Sequence, residues 1–198
     1  MTETGPFLVS VRSNVTLEAR EAANGHKGAV FWMTGLSGSG KSTLAHIAEE
    51  ALFKENCQAV VFDGDNIRTG LNAGLGFSDE DRRENIRRTA EVAKLFCRAG
   101  MVVLCSLITP RIEFRELARS IVGAGFFYEI FVDCPIEQCE ERDLKGFYAR
   151  ARRGVIKNYT GLGSLYEAPL QPDCRILTAD SSPDESAREL LRFIRQRI

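Results

Sequence analysis

The chain has 198 residues, a net charge of −1, and hydrophobic and charged fractions of 44% and 27%. These proportions fit one globular domain with ample core and exclude a low-complexity chain. The small net charge gives no field for nucleic acid, and no apolar run nears the roughly 20 residues that span a bilayer.

Residues 1–26 are weakly patterned and read as a flexible N-terminal arm, with a short strand or helix near Val15–Ala23. Residues 27–198 read as a single domain. Strand candidates are Val30–Met33, Ala59–Phe62, Met101–Leu107, Phe126–Val132 and Arg175–Thr178. Helical patterns fall between them at about 41–55, 79–99, 111–122, 135–142 and 184–197. Ser78 followed by Asp79-Glu80-Asp81 is a strong helix start, and Gly100 a stop. This alternation predicts an α/β fold whose mainly parallel five-stranded sheet carries helices on both faces. In such sheets ligands bind beyond the carboxyl ends of the strands, so the loops there hold the chemistry.

The loop after the first strand is Gly35-Leu36-Ser37-Gly38-Ser39-Gly40-Lys41-Ser42-Thr43, which matches the phosphate-binding pattern G-x-x-x-x-G-K-[ST] between a strand and a helix. Its glycines let successive N–H groups face a polyphosphate, and the helix N-terminus adds positive potential. Lys41 can reach the β- and γ-phosphates, and the Ser42 hydroxyl can ligand Mg²⁺. The loop after the second strand is Asp63-Gly64-Asp65-Asn66. On extended backbone Asp63 and Asp65 project to the same side. A carboxylate there can take a proton from an attacking hydroxyl or hold Mg²⁺ through water. For Asp65, capping a helix that begins near Ile67 is an equal alternative.

Arg82 and Asn85, three apart on one helix, share a face that could grip an anion, whereas the other arginines of 82–88 fall elsewhere. The segment 142–157 sets Arg142, Lys145, Arg150, Arg152, Arg153 and Lys157 against one acid, Asp143. It reads either as a lid over a γ-phosphate or as an exposed basic helix. Asn158-Tyr159-Thr160-Gly161 follows as a glycine-bearing turn with an aromatic ring suited to stacking on a base. Six cysteines lack any C-x-x-C pair, His26 and His46 stand alone, and Met1–Asn14 has no signal-peptide core. Reduced thiols in the cytoplasm are expected.

From about Lys27 onward the chain resembles the adenylylsulfate kinase family of P-loop kinases. The resemblance rests on TGLSGSGKST (34–43), DGDNIR (63–68), LGFS (75–78), ENIRR (84–88), Lys145-Gly146, 156–161 and Tyr166-Glu167. It implies a P-loop NTPase-type three-layer fold with a basic lid over about 142–163. The implied reaction phosphorylates the 3′-hydroxyl of adenosine 5′-phosphosulfate (APS) with ATP and Mg²⁺, giving 3′-phosphoadenylylsulfate (PAPS) for sulfate assimilation. By the same resemblance Lys41 and Asp63 are catalytic, Asp63 as base or orienter, and Ser42 and Asp63 hold the metal, directly or through water. Arg68, Arg82 and Asn85 grip the ribose and phosphosulfate, and Asp65, Ile108, Thr109 and Asn158 also meet APS. Phe77 and Tyr159 sandwich its adenine, Lys145 and Lys157 belong to the lid, and Arg152 lies nearer the ATP base. A homodimer and an association with ATP sulfurylase are further implications.

Several positions depart from the family pattern: Thr69, Ile112, Val155, Leu165 and Thr109. The last replaces a serine described in some members as a phosphorylated intermediate, although in-line transfer needs no covalent step. Two other readings are a P-loop kinase for another small hydroxyl acceptor and an idle nucleotide-binding relative with a regulatory role. The joint presence of DGDNIR, LGFS and KNYTG opposes the first, and intact Lys41, Ser42 and Asp63 oppose the second.

Overall fold

A computed structural model of the chain describes residues 13–143, 145–156 and 159–198. It begins with a short helix, α1 (Leu17–Asn24), capped by the Thr16 side chain. Asn24 donates to the Gly100 carbonyl at 3.0 Å, and Glu21 accepts from the Gly28 amide at 3.1 Å. Part of the expected flexible arm is therefore a helix fastened to the domain, while residues 1–12 lie outside the described residues. The helix has no fully buried residue, so its sequence carries little apolar stripe to betray it.

The next elements are β1 (Ala29–Thr34), α2 (Lys41–Lys54), β2 (Ala59–Asp63), α3 (Gly64–Arg68), α4 (Asp79–Arg98), β3 (Val102–Ser106) and α5 (Ile112–Val122). After them come β4 (Phe127–Asp133), α6 (Ile136–Glu141), α7 (Phe147–Arg152), β5 (Cys174–Leu177) and α8 (Pro183–Arg195). The five strands pair in parallel in the order β2-β3-β1-β4-β5. This is the expected three-layer fold, with the strand ends within a few residues of their sequence positions.

Alternation along β1 divides the core. Phe31 and Met33 face α2 and α8, where Ala45, Ala48, Leu52, Leu190 and Ile194 pack. Val30 and Trp32 face α4 and α5, against Ile86, Ala90, Ala93, Phe114 and Ala118. With β1 central and its neighbours reached by opposite crossovers, the strand order reverses at its carboxyl end, opening a crevice there.

Two short helices take places that the pattern left open: α3 begins at Gly64 rather than near Ile67, and α7 lies within the basic segment. The stretch read as an extended loop after β2 turns at once into α3, because the Asp63 carboxylate accepts from the Asp65 amide at 3.0 Å. The cap is thus Asp63, and Asp65 pairs instead with Lys145. In the basic segment, Asp143 accepts from the amides of Phe147 (2.9 Å) and Tyr148 (2.8 Å) and starts α7. Among the described residues no helix is long and apolar enough to cross a membrane.

Leu104 lies on β3 with no exposed surface, whereas Phe53 on α2 is 75% exposed. Leu104→Ala is expected to lower stability by about 2–5 kcal/mol in urea unfolding, and Phe53→Ala to stay within about 0.5 kcal/mol.

Candidate active site

The β1–α2 loop owes its curl to close backbone packing. A Cβ on Gly35 would sit 2.4 Å from the Val132 carbonyl oxygen, so only glycine lets the loop leave β1 beside β4. Gly38, at φ +79°, lies similarly against the Cys139 carbonyl. Lys41 is 7% exposed, and its ammonium donates to the carbonyls of Gly35 (2.9 Å) and Leu36 (2.6 Å). Gly40 precedes α2 without a side-chain cap, which leaves the first-turn amides for an anion. Burial pulls the Lys41 amine down to about 8.

Ser42, one residue on, donates to Asp63 Oδ2 at 2.6 Å and lies 3.1 Å from Ser106 Oγ. The β2–β3 register sets Ser106 directly beside Asp63. Three hard oxygen donors thus meet at the carboxyl ends of two adjacent strands and the start of α2. Such a set suits Mg²⁺, which keeps waters and substrate phosphates in its shell and needs few protein ligands. Among the described residues no three His, Cys, Asp or Glu side chains gather to hold a metal ion by themselves.

A cavity of about 610 Å³ opens from this point. One wall holds Ser37, Gly38, Gly40, Lys41, Ser42 and Thr43; another holds Asp63, Asp65, Arg68, Phe77, Arg82 and Asn85; Ile108, Thr109 and Lys145 complete it. Arg68 and Arg82 lie over the Phe77 ring at 4.5 and 5.7 Å, so two guanidinium groups are within cation–π reach of one ring. Their remaining donors are partly held by the carbonyls of Gly76 and Phe77, at 3.0 Å each. Asn85 is buried and accepts from Asn72 at 3.0 Å. Lys145 reaches across the opening to pair with Asp65. The other arginines divide as the helix geometry predicts: Arg87 and Arg88 bind Glu84 at 2.7 and 2.8 Å, away from the cavity.

Thr109 stands at φ +40°, an unfavourable conformation for a β-branched residue. Trp32 Nε1 donates to its hydroxyl at 3.0 Å, and the residue is buried.

Some expected residues are not brought together. Tyr159 does not line the cavity; its ring packs edge-on against Tyr148 at 4.9 Å within a small apolar cluster that includes Leu36, Ile136 and Leu162. The glycine-bearing turn suited its ring to stacking on a base, but Tyr148 and Leu36 offer that ring a half-buried seat. Arg152 pairs with Glu140 at 2.6 Å on the outer surface, away from the cavity. Gly35 and Ser39 belong to the phosphate loop but do not line the opening. Lys157 and Asn158 lie outside the described residues.

The cavity also takes in Arg142, Thr178, Ser181 and Pro183. Thr178 Oγ1 donates to the Ser39 carbonyl at 2.9 Å, and Arg142 donates to the Thr178 carbonyl at 2.6 Å. These residues have no motif, but the loop after β5 is another carboxyl-end loop, and its position alone pointed to it.

The adenylylsulphate kinase family matches residues 27–177. The chain belongs to that family. It is 50% identical over 186 residues to an adenylyl-sulfate kinase of Acaryochloris marina, covering 94% of this chain and 91% of the relative. An adenylyl-sulfate kinase of Geotalea daltonii is 52% identical over 174 residues, covering 88% and 86%. The structure matches a Mycobacterium tuberculosis APS kinase in complex with AMPPNP and APS, at a TM-score of 0.82 and 47% identity, covering 85% of this chain and 98% of the other. Membership bears out the resemblance in the motifs and makes the chain an ATP-using kinase.

The depressed Lys41 amine gives a pH dependence. A polyphosphate favours its charged form, so the bound amine holds its proton to higher pH than the free one, and binding above pH 8 takes up a proton. Affinity for a non-hydrolysable ATP analogue should fall as pH rises past about 8, by up to about tenfold per unit. Calorimetry in buffers of different ionisation heat should show proton uptake at pH 9 that is absent at pH 7.

Proposed function

We propose that the chain transfers the γ-phosphoryl group of ATP to the 3′-hydroxyl of APS, giving PAPS and ADP. The carrying observation is the 2.6 Å hydrogen bond from Ser42 to Asp63. It ties the donor loop to a carboxylate at the floor of a cavity whose far wall bears Arg68, Arg82 and Phe77. Asp63 accepts the proton as the 3′-oxygen bonds to the γ-phosphorus and the bond to the β–γ bridging oxygen breaks. Ser42 and Asp63 would hold Mg²⁺, which would offset charge on the β- and γ-phosphates. Lys41 donates to the same phosphates.

On the acceptor side, Arg82 and Arg68 bind the phosphosulfate, and Phe77 stacks on the adenine. Asn85, Ile108 and Thr109 border the ribose, with Asn158 and Lys157 as further contacts. Thr109 acts by shape, and transfer is direct, since in-line phosphoryl transfer needs no covalent step. Asp65 holds Lys145 until the phosphates compete for it, which makes the segment about 142–163 a lid. At the donor end, Arg142, Thr178 and Ser181 support the nucleotide in place of Arg152. Residues 27–198 act as one kinase domain. A homodimer, contact with ATP sulfurylase and a cytoplasmic setting complete the reading; the six free cysteines support the last.

Asparagine at position 63 can still cap α3 but cannot take the proton. Asp63→Asn should therefore cut kcat by roughly 10²–10⁴-fold, with a smaller change in APS KM and a normal melting curve. Asp65→Asn removes only an exposed pairing with Lys145 and should be much milder. Steady-state kinetics that rank the two the other way would move the base to Asp65.

Phe77 is 67% exposed over the cavity, whereas Tyr159 is packed among Tyr148, Leu36 and Leu162. Base stacking is worth about 1–3 kcal/mol, so Phe77→Ala should raise APS KM roughly 5- to 150-fold. ATP affinity should hardly move. Tyr159→Phe should be silent, because the ring makes the packing contact with Tyr148, and Tyr159→Ala should lower thermal stability as well as APS affinity.

A further inference from the structure

Arg115 is only 2% exposed and does not line the cavity, but it bonds to Thr109, which does. Its guanidinium is divided among three elements. Nη1 donates to the Thr109 carbonyl at 2.9 Å, Nη2 donates to the Glu167 carbonyl at 2.8 Å, and Nε pairs with Glu129 Oε1 at 2.6 Å. Glu167 returns the grip: its amide donates to the Pro110 carbonyl at 2.8 Å, and its carboxylate accepts from the Ile112 amide at 2.7 Å. That second bond caps α5, whose N-terminus has no side-chain cap of its own. Thr34 holds the Ile108 carbonyl from beneath at 2.7 Å. Every carbonyl from Ile108 to Pro110 is therefore bonded, and the unfavourable φ of Thr109 is fastened from both sides.

We infer that Arg115 is a positioning residue for the acceptor: it sets where Ile108 and Thr109 meet APS. The inference rests on the reading of those two residues as acceptor contacts. A buried ion pair is weak support for stability, since apolar residues of similar volume often replace it without loss. What apolar residues cannot replace is the planar fork that reaches two carbonyls at once. The Arg115–Glu129 pair is then the fixture that aims the fork, with Glu129 anchored on β4 beside Trp32.

Two variants separate aim from stability. Arg115→Lys keeps a charge for Glu129 but loses the fork. The double variant Arg115→Met/Glu129→Met removes both charges and keeps the volume. Each should lower kcat/KM for APS roughly 10- to 100-fold, as expected for a misplaced reactant, with ATP KM within twofold of wild type. The double variant should melt near wild type. Either folded variant with near-normal APS kinetics would overturn the inference, as would a parallel rise in ATP KM. A lysine variant that does not fold assigns Arg115 to the core and overturns it too. Wild-type turnover of ATP and APS, with Phe77→Ala as a second probe, checks the underlying reading separately.

Discussion

A buried ammonium group shapes this protein. Lys41 is almost wholly withdrawn from water, and a charge so placed must find acceptors. It finds them in the carbonyls of its own loop, which turn inward and leave the amides facing the opening. The turn is possible only because Gly35 and Gly38 lie against the backbones of Val132 and Cys139. The loop thereby depends on β4 and α6. Thr178 after β5 and Tyr148 of α7 bind it from two more sides, through the carbonyls of Ser39 and Ser37 at 2.9 and 2.8 Å. A site for a polyphosphate is thus held by elements distant in sequence, all meeting at one end of the sheet.

Parallel pairing supplies the rest of the geometry. Because β2 and β3 run in register, Asp63 and Ser106 end side by side, and the start of α2 brings Ser42 to both. Asp63 serves two purposes there: one oxygen accepts from Ser42, the other caps α3. The cap starts α3, which carries Arg68, and Arg68 and Arg82 both lie over the Phe77 ring. The side of the cavity that bears Arg68 is consequently tied to the same carboxylate that accepts from Ser42.

Much of this was legible in the sequence. Five strands, the long helices and the phosphate loop follow from apolar runs, periodicity and glycine spacing, which are local. The start of α4 at Ser78 was equally plain, and there the Ser78 side chain accepts from the Asp81 amide at 3.1 Å. Short helices were harder. α3 and α7 have too few turns for periodicity and owe their starts to single carboxylates, Asp63 and Asp143. α1 lacks an apolar stripe and is held by polar contacts to residues far along the chain, such as Gly100.

The sequence by itself determined the chemistry that depends on residue type and spacing: the donor loop, the carboxylate after β2, and the arginines three and four apart that separate into cavity and surface sets. Tertiary structure decided what depends on neighbours from other elements. It turned Tyr159 into a packed ring and moved Arg152 to the surface. It set Ser106, Arg142 and Thr178 at the opening, and made Arg115 the clamp on the Thr109 loop. These placements have no local signature, because burial, ion pairing and strand register are relations between segments that only the folded chain brings together.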